Sequence, residues 1–409
     1  MTIRAACTFG LLTLALLAGC HRSNPPQAVA FTVRDSAGIR IAETARIDGI
    51  PPLDWHVDSA AALRIGGDQA DASPLFKIMS ATRLSDGRVA VVSAGTHELR
   101  FYSSAGRLIR SIGRAGDGPG EFRSLFWVGR LPGDSLATWD VSPQRLSLFT
   151  PGGDFVRAVT SQSSLGIFPL ATGVVGDGRV LIAASGGTPA LDVTGRTSTR
   201  GSITYLLLHP SSGAADTLGE FPGTEQIALA GADGGFLMRP LPFGRTTLAA
   251  VHDSLIYVAD SDRFEIRVFG VRGRLVGLIR AAQAPVPVTA EDIAAYRRTL
   301  VTLGAEGDRE AERREQRLLD AAPYPATMPA YIDLKVDSEG DIWVQAPERP
   351  GSTEGSLWTV FTPEGRPRGT VRLPPGLSVH EIGRNWVLGV EVDSDQVEHV
   401  RMFPLVKKP

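Results

Sequence analysis

An all-β fold is what these 409 residues predict, and three observations carry that prediction. Apolar and polar residues alternate on a period of two, as in Leu99-Arg100-Phe101-Tyr102 and Ile266-Arg267-Val268-Phe269, which sends successive side chains to opposite faces of a strand. Glycine-bearing turns punctuate those runs. The same strand–turn order then recurs at roughly 45-residue intervals, the period at which four-stranded sheets stack radially into a β-propeller. A β-sandwich would leave that recurrence unexplained.

The units succeed one another from Lys77 onward. In the first, "DGRVAVVSAGTHELRFYSSAGRLIRSIG" (Asp86–Gly113), two turns separate three apolar runs, and a fourth run precedes it at Lys77–Leu84. "GDSLATWDVSPQRLSLFTPGGDFVRAV" (Gly133–Val159) repeats the order at nearly the same spacing. The third unit joins "GDGRVLIAAS" (Gly176–Ser185) to "SITYLLLHPSSGAADTLGEF" (Ser202–Phe221) across a longer middle loop. "HDSLIYVADSDRFEIRVFGVRGRLVGLIR" (His252–Arg280) is the fourth, and "EGDIWVQA" (Glu339–Ala346) with "SLWTVFTPEGRPRGTVRL" (Ser356–Leu373) the fifth. Ala105-Gly106-Arg107, Gly152-Gly153-Asp154, Arg272-Gly273-Arg274 and Glu364-Gly365-Arg366 place glycine where a hairpin needs positive φ.

The sixth unit is split. "NWVLGVEVDSDQVEHVRMFPL" (Asn385–Leu405) supplies two strands before the chain ends, and "ALRIGGDQADASPLF" (Ala62–Phe76) matches "LIRSIGRAGDGPGEF" in its Ile-Gly and its phenylalanine. Ala62–Gly66 is therefore expected to complete the last blade, closing the ring with N- and C-terminal strands in one sheet and removing an exposed edge. The fold so predicted is a six-bladed propeller over residues 31–409. "FTVRDSAGIRIAE" (Phe31–Glu43) reads as an extra hairpin packed outside the ring. One segment, about 289–322, is helical: Thr289 with Asp292 forms a capping box, and Ile293, Tyr296 and Leu300 share a face. Its charged second half includes Glu310 four residues before Arg314, an exposed-pair spacing; the segment reads as a solvated insertion, or as a lid or docking helix.

Composition bounds the function classes. A formal charge of -2 supplies no global field that would recruit nucleic acid. The 45 glycines and 28 prolines are spread along the chain, as many turns require. Both cysteines, Cys7 and Cys20, precede the first repeat, so nothing beyond them can form a disulfide or a thiolate metal site. Arg4, the apolar run Ala5–Leu17 and the small residues before Cys20 have the order of a secretory signal peptide, and the run is too short to span a bilayer permanently.

Two resemblances add to this reading. Leu17-Ala18-Gly19-Cys20 resembles the lipobox of bacterial lipoproteins, which implies cleavage of residues 1–19 and lipid on Cys20, with 20–30 as a tether. "LIYVADSDRFEIRVFGVRGRLVGLIR" and "RVAVVSAGTHELRFYSSAGRLIRSIGRAGDGPGEF" look like NHL repeats, and the whole resembles the six-bladed β-propeller lipoproteins of bacteria from about Ala62 to Leu405. The resemblance implies a propeller held at the cell envelope, in the outer membrane facing periplasm or surface.

Local motifs for chemistry are sparse. The histidines, His21, His56, His97, His209, His252, His380 and His399, form no HExxH pair and read individually as surface or core residues. No G-x-S-x-G elbow occurs. Asp-Ser-Asp stands at Asp260–Asp262 and Asp393–Asp395, with Asp140 at the corresponding turn of the second unit. Clustered carboxylates suit Ca²⁺, which takes six to eight oxygens, while aspartate at a turn also bonds its own backbone. Arg239 and Arg245 lie near the start of the fourth unit, where they would line the axial mouth and pair with an anion. The glycine-rich "IGRAGDGPGEF" (Ile112–Phe122) lacks the dinucleotide fingerprint and a following Gly-Lys-Ser/Thr, so it reads as the crossover between two blades.

In an ordinary blade the turn between the second and third strands lies on the face that also carries the crossover to the next blade. Asp140, Asp260, Asp262, Asp393 and the Gly116–Gly120 crossover are thus expected on one rim, which would bind a small ligand or an envelope protein rather than nucleic acid. Two alternatives stand beside that reading: a metal-dependent hydrolase or lyase with its site in the central channel, and a structural component of an envelope assembly.

Overall fold

The computed structural model describes residues 30–67, 74–166, 168–186, 198–230, 236–304, 313, 316–317, 319–320 and 322–408. Among these residues the strands form six sheets. Ile78–Arg83, Val89–Ser93, Glu98–Tyr102 and Leu108–Ile112 make the first blade as an antiparallel meander, and Leu125–Arg130, Leu136–Asp140, Arg145–Phe149 and Phe155–Thr160 the second. The fifth, Asp333–Val336, Ile342–Gln345, Ser356–Phe361 and Pro367–Leu373, has the same order. In each blade the first strand lies innermost, and successive innermost strands touch around a closed circuit from the sixth blade back to the first. The fold is an all-β propeller.

Its core lies between blades. Leu99, Phe101, Leu125 and Phe149 pack in one cluster between the first and second sheets; Trp139, Leu146, Val180 and Ile182 fill the next interface. Clusters of the same kind lie at the four remaining interfaces, the last joining Val400 and Leu388 to Val89 and Tyr102 across the ring closure. Both faces of a middle strand are therefore buried, as in Val89–Ser93, where every residue is inaccessible. This explains why the second strand of each unit reads as a continuous apolar run and the outer strands do not.

Three elaborations depart from the plain meander. Ser198–Leu208 and Ala215–Ala230 form a long hairpin in the third sheet, to which Phe236–Pro240 adds a fifth strand, pairing with Gln226–Ala230. Arg239 thus belongs to the third sheet, which corrects its expected place at the start of the fourth unit. The fourth sheet carries the hairpin Phe31–Ser36/Ile39–Thr44 on its outer edge, the second of these strands running parallel to Leu275–Ala281. In the sixth sheet, Leu63–Ile65 pairs with Val400–Met402 and Trp55–Val57 with Leu405–Lys407, so N- and C-terminal strands close the ring together.

The helix runs over Ala290–Gly304. The amide of Asp292 donates to Thr289 Oγ1 at 3.1 Å, while Asp292 Oδ2 accepts from the Thr289 amide and hydroxyl at 2.9 and 2.7 Å, the reciprocal box its sequence predicts. Tyr296 packs on Phe243, anchoring the helix to the crossover between the third and fourth blades. Glu310 and Arg314 lie outside the described residues, as do the signal-like segment and Cys20.

Turns expected to need positive φ have it: Gly106, Gly153, Gly273 and Gly365 stand at 80°, 86°, 76° and 83°. In each, the glycine N–H and the strand-end N–H close the turn on backbone carbonyls, as with Gly365 to Thr362 and Thr362 to Arg366, both at 2.8 Å. The crossover Ile112–Phe122 behaves as a hinge with an anchor. Phe122 is fully buried against Phe149, and a Cβ on Gly113 would strike its ring. In the crossover from the sixth blade the buried anchor is Leu75, under Gly66, whereas Phe76 is 55% exposed. Matching Phe76 to Phe122 by residue type is thus wrong by one position: what matters is a buried apolar group three residues ahead of the innermost strand.

Candidate functional site

Six innermost strands surround the channel: Ile78–Arg83, Leu125–Arg130, Leu170–Val174, Thr247–His252, Asp333–Val336 and Ser378–Ile382. Four of them slip register against the second strand of their blade. The extra residue is Met79 in the first blade, Phe126 in the second, Thr172 in the third and His380 in the sixth. The innermost strands of the fourth and fifth blades are regular. A bulge re-aims the side chain of its extra residue, and bulges concentrate beside functional sites. All four extra residues are partly exposed. Their contacts are also local: Met79 and Phe126 pack against the interblade clusters on either side of the second blade, the Thr172 hydroxyl donates to the Leu181 carbonyl at 3.2 Å, and the His380 ring reaches the first blade.

The channel wall is two-sided in character. Blades one to three present Met79 and Phe126, with Phe168 meeting Phe126 edge-on at 5.2 Å between ring centroids. Blades five and six present Lys335, Asp333 and His380. Lys335 Nζ lies 2.8 Å from Asp333 Oδ1. His380 Nδ1 accepts the Ala81 amide at 3.2 Å, which leaves the ring proton on Nε2. Burial, with a smaller push from the Lys335 charge, lowers this imidazole to a pKa of about 4, so it is neutral at pH 7 and donates from Nε2. Deeper in the same strand, burial pushes the Glu381 carboxyl up although its Oε2 accepts from the Arg83 amide at 2.9 Å and the Thr82 hydroxyl at 3.1 Å. Arg83 stacks over Trp386 at 5.2 Å. A neutral donor beside an ammonium, facing an aromatic wall, can hold a ligand that is polar or anionic at one end and apolar at the other.

Hydrogen bonds join the turns between second and third strands to the crossovers, so both lie on one rim. Asp140 is buried there; its carboxylate accepts the amides of Ser124 and Arg123 at 2.6 and 3.0 Å and faces Arg145 Nη2 at 3.3 Å. Arg145 donates onward to the carbonyls of Asp117 and Glu121 in the glycine-rich crossover. Asp140 is a staple between blade and crossover.

Asp260, Asp262 and Arg245 come together. Arg245 Nε donates to Asp262 Oδ1 at 3.1 Å and Nη2 to Thr327 Oγ1 at 3.2 Å, while Asp260 Oδ1 accepts the Asp262 amide at 3.2 Å and a guanidinium N–H of Arg200. This network ties the long hairpin of the third blade, the turn of the fourth and the insertion 282–332. Asp393 stands apart in the sixth blade, accepting the amides of Asp395 and Val397 at 2.9 Å each and facing His399 Nε2 at 2.7 Å. His399 and those N–H donors hold its carboxyl below the usual carboxylate range. Arg239 is exposed on the added strand. The acids singled out in the sequence are thus engaged within the rim. Among the described residues no three His, Cys, Asp or Glu side chains group so as to hold a metal ion.

The sequence gives no sign that His380, rather than another histidine, faces the channel. Its selection depends on a bulge, and a bulge is one extra residue in a strand whose length the alternation does not specify.

No family model matches the chain, and no curated protein matches it. Solved structures do. A member of the DUF4221 family from Bacteroides vulgatus is similar over 87% of this chain and 99% of its own, at 12% identity and a TM-score of 0.50. A protein of Bacteroides fragilis covers 89% of this chain and 97% of its own at 11% identity and TM-score 0.46; a gluconolactonase from Xanthomonas campestris covers 87% and 99% at 11% and 0.43. At such identities the likeness extends to the fold alone.

Proposed function

We propose that this protein is a ligand- or protein-binding propeller of the bacterial cell envelope, exported and lipid-anchored through Cys20, which recognises its target at the rim-side mouth of the channel. The observation that carries the reading is the set of four bulges in innermost strands, at Met79, Phe126, Thr172 and His380, around the channel. The rim adds to it, since the long hairpin and the helical insertion rise on that face, and Phe76, Phe168 and Ile332, each just ahead of an innermost strand, leave apolar surface exposed there. The signal-like N-terminus supports export, and the lipobox-like residues support the anchor.

The test is site-specific photo-crosslinking in cells with the full chain. A benzoylphenylalanine probe in place of Phe168 is expected to give a discrete adduct, and the same probe in place of Arg107, in a turn of the opposite face, none. Equal labelling from both positions, or labelling from Arg107 alone, defeats the rim reading. Separately, Cys20→Ala is expected to move the protein from the membrane to the soluble fraction; full retention in membranes refutes lipid anchoring.

A further inference from the structure

Away from the channel, where the outer strands of the fifth and sixth blades meet, lies a pocket of about 430 Å³. Its wall includes three guanidiniums, from Arg64, Arg372 and Arg401, and two carboxylates, from Glu354 and Glu391. Arg64 and Arg401 are directly opposite in the antiparallel pairing of Leu63–Ile65 with the C-terminal strand, so their side chains leave the same face side by side. Like charges in that relation repel and destabilise the pairing. The sequence places this repulsion in the strand that closes the ring.

The repulsion is only partly offset by the protein. Arg401, whose side chain is 13% exposed, donates from Nε to Glu391 Oε2 at 3.1 Å, and its Nη nitrogens meet no acceptor among the described residues. Arg372 reaches Glu354 at 3.1 Å, both side chains being largely exposed. Arg64 makes no ion pair among the described residues. The pocket therefore holds one guanidinium in excess, with free N–H donors on two neighbouring forks. Beside them Phe403, Leu373 and Pro374 supply apolar floor.

We propose that this pocket is a binding site for an oxyanion, phosphate or carboxylate, carried on an apolar group. Arg64 and Arg401 grip the anion with paired N–H donors, the geometry in which guanidinium is strongest, and the apolar body lies on Phe403 and Leu373. Binding neutralises the like-charge pair in the closing strand, so occupancy also holds the ring shut. The anion could belong to a soluble molecule or to a lipid headgroup; the chemistry is shared.

Calorimetric titration of the full chain tests the site. Phenyl phosphate is the soluble probe and dihexanoyl phosphatidic acid, below its micelle concentration, the lipid probe; benzyl alcohol supplies the ring without the anion. At least one anionic probe is expected to bind and benzyl alcohol not to bind, with the tighter of the two probes identifying the source. Arg64→Gln is expected to weaken that binding tenfold or more while leaving the melting temperature of the unliganded protein unchanged or higher, because it removes a repulsion. Arg372→Gln, at the exposed margin, should weaken binding less. Absence of binding by both anionic probes, or equal affinity in wild type and Arg64→Gln, overturns the proposal, as does a lowered melting temperature in Arg64→Gln without change in affinity.

Discussion

The two faces of the ring are made by the same strands and differ in how those strands are joined. On one face the joints are short. The turns at 84–88, 103–107, 150–154, 175–179, 270–274, 337–341 and 362–366 all close with the same pair of backbone hydrogen bonds, and a glycine at positive φ takes the fourth position of each. On the other face the joints include the crossover 113–124, the extended end of the third-blade hairpin, where Ser198–Ser202 pairs with Pro222–Ile227, and the insertion 282–332, and their side chains bind one another across blades. The lesson is a division of labour. Short glycine turns demand one geometry and give it with little sequence, whereas long joints need buried polar contacts to hold a shape, and these can differ from blade to blade.

The largest effect should come from the long-jointed face, at its most buried staple. Asp140→Ala removes the buried carboxylate facing Arg145, whose side chain is 10% exposed, and frees two amides, for a loss of about 3–5 kcal/mol in urea unfolding. A loss below about 1 kcal/mol would mean the crossover holds itself without the staple.

Next comes pH dependence at the channel. His380 has its pKa lowered in the fold to about 4 from an ordinary 6.5, so the unfolded chain binds the extra proton first. Its contribution is complete above pH 6.5 and is lost as the pH falls toward 4. The expected size is on the order of 2–3 kcal/mol. His380→Gln should flatten the difference in stability between pH 7 and pH 4; an unchanged slope would show that the imidazole charges freely in the channel.

A smaller effect separates the faces by their glycines. At Gly365, on the short-jointed face, φ is +83° and a Cβ would stand 2.7 Å from Ile279 Cγ1 and 2.9 Å from the Ala42 Cβ. Gly376, in the crossover between the fifth and sixth blades, has φ +73° and nothing within 4 Å. Gly365→Ala is expected to cost about 1–3 kcal/mol and Gly376→Ala less, since only the backbone term applies there. Equal losses would remove packing from the explanation of the short turns. The smallest change is expected for Asp262→Ala, whose carboxylate is 59% exposed in its pair with Arg245: about 0.2–1 kcal/mol, fading with salt.

Much of this architecture is legible in the chain because a blade is a local object. The four runs of the first unit, the turns at Gly106 and Gly153, and the split sixth blade follow from alternation and glycine placement within a few dozen residues. The errors share one physical cause. Residue type pairs Phe76 with Phe122, yet burial selects Leu75, because the anchor is set by distance from the innermost strand. Arg239, expected near the start of the fourth unit, stands on Phe236–Pro240, which pairs with the hairpin before it, since a strand's partner depends on which edge is open. The sequence leads one to expect Asp260 and Asp262 on one rim and Arg245 at the axial mouth, but their mutual bonding cannot be read from their spacing.

By itself the sequence determined the repeating unit, the face on which long joints gather and the closure of the ring by its two ends, because each rests on short-range periodicity and on a recurring order. Only the tertiary structure decided what looks inward and what is left unpaired. It takes a closed ring to bring the bulges at Met79, Phe126, Thr172 and His380 onto one circle of innermost strands, and a closed sixth sheet to set Arg64 opposite Arg401. Those juxtapositions join residues from distant parts of the chain, and no local pattern records them.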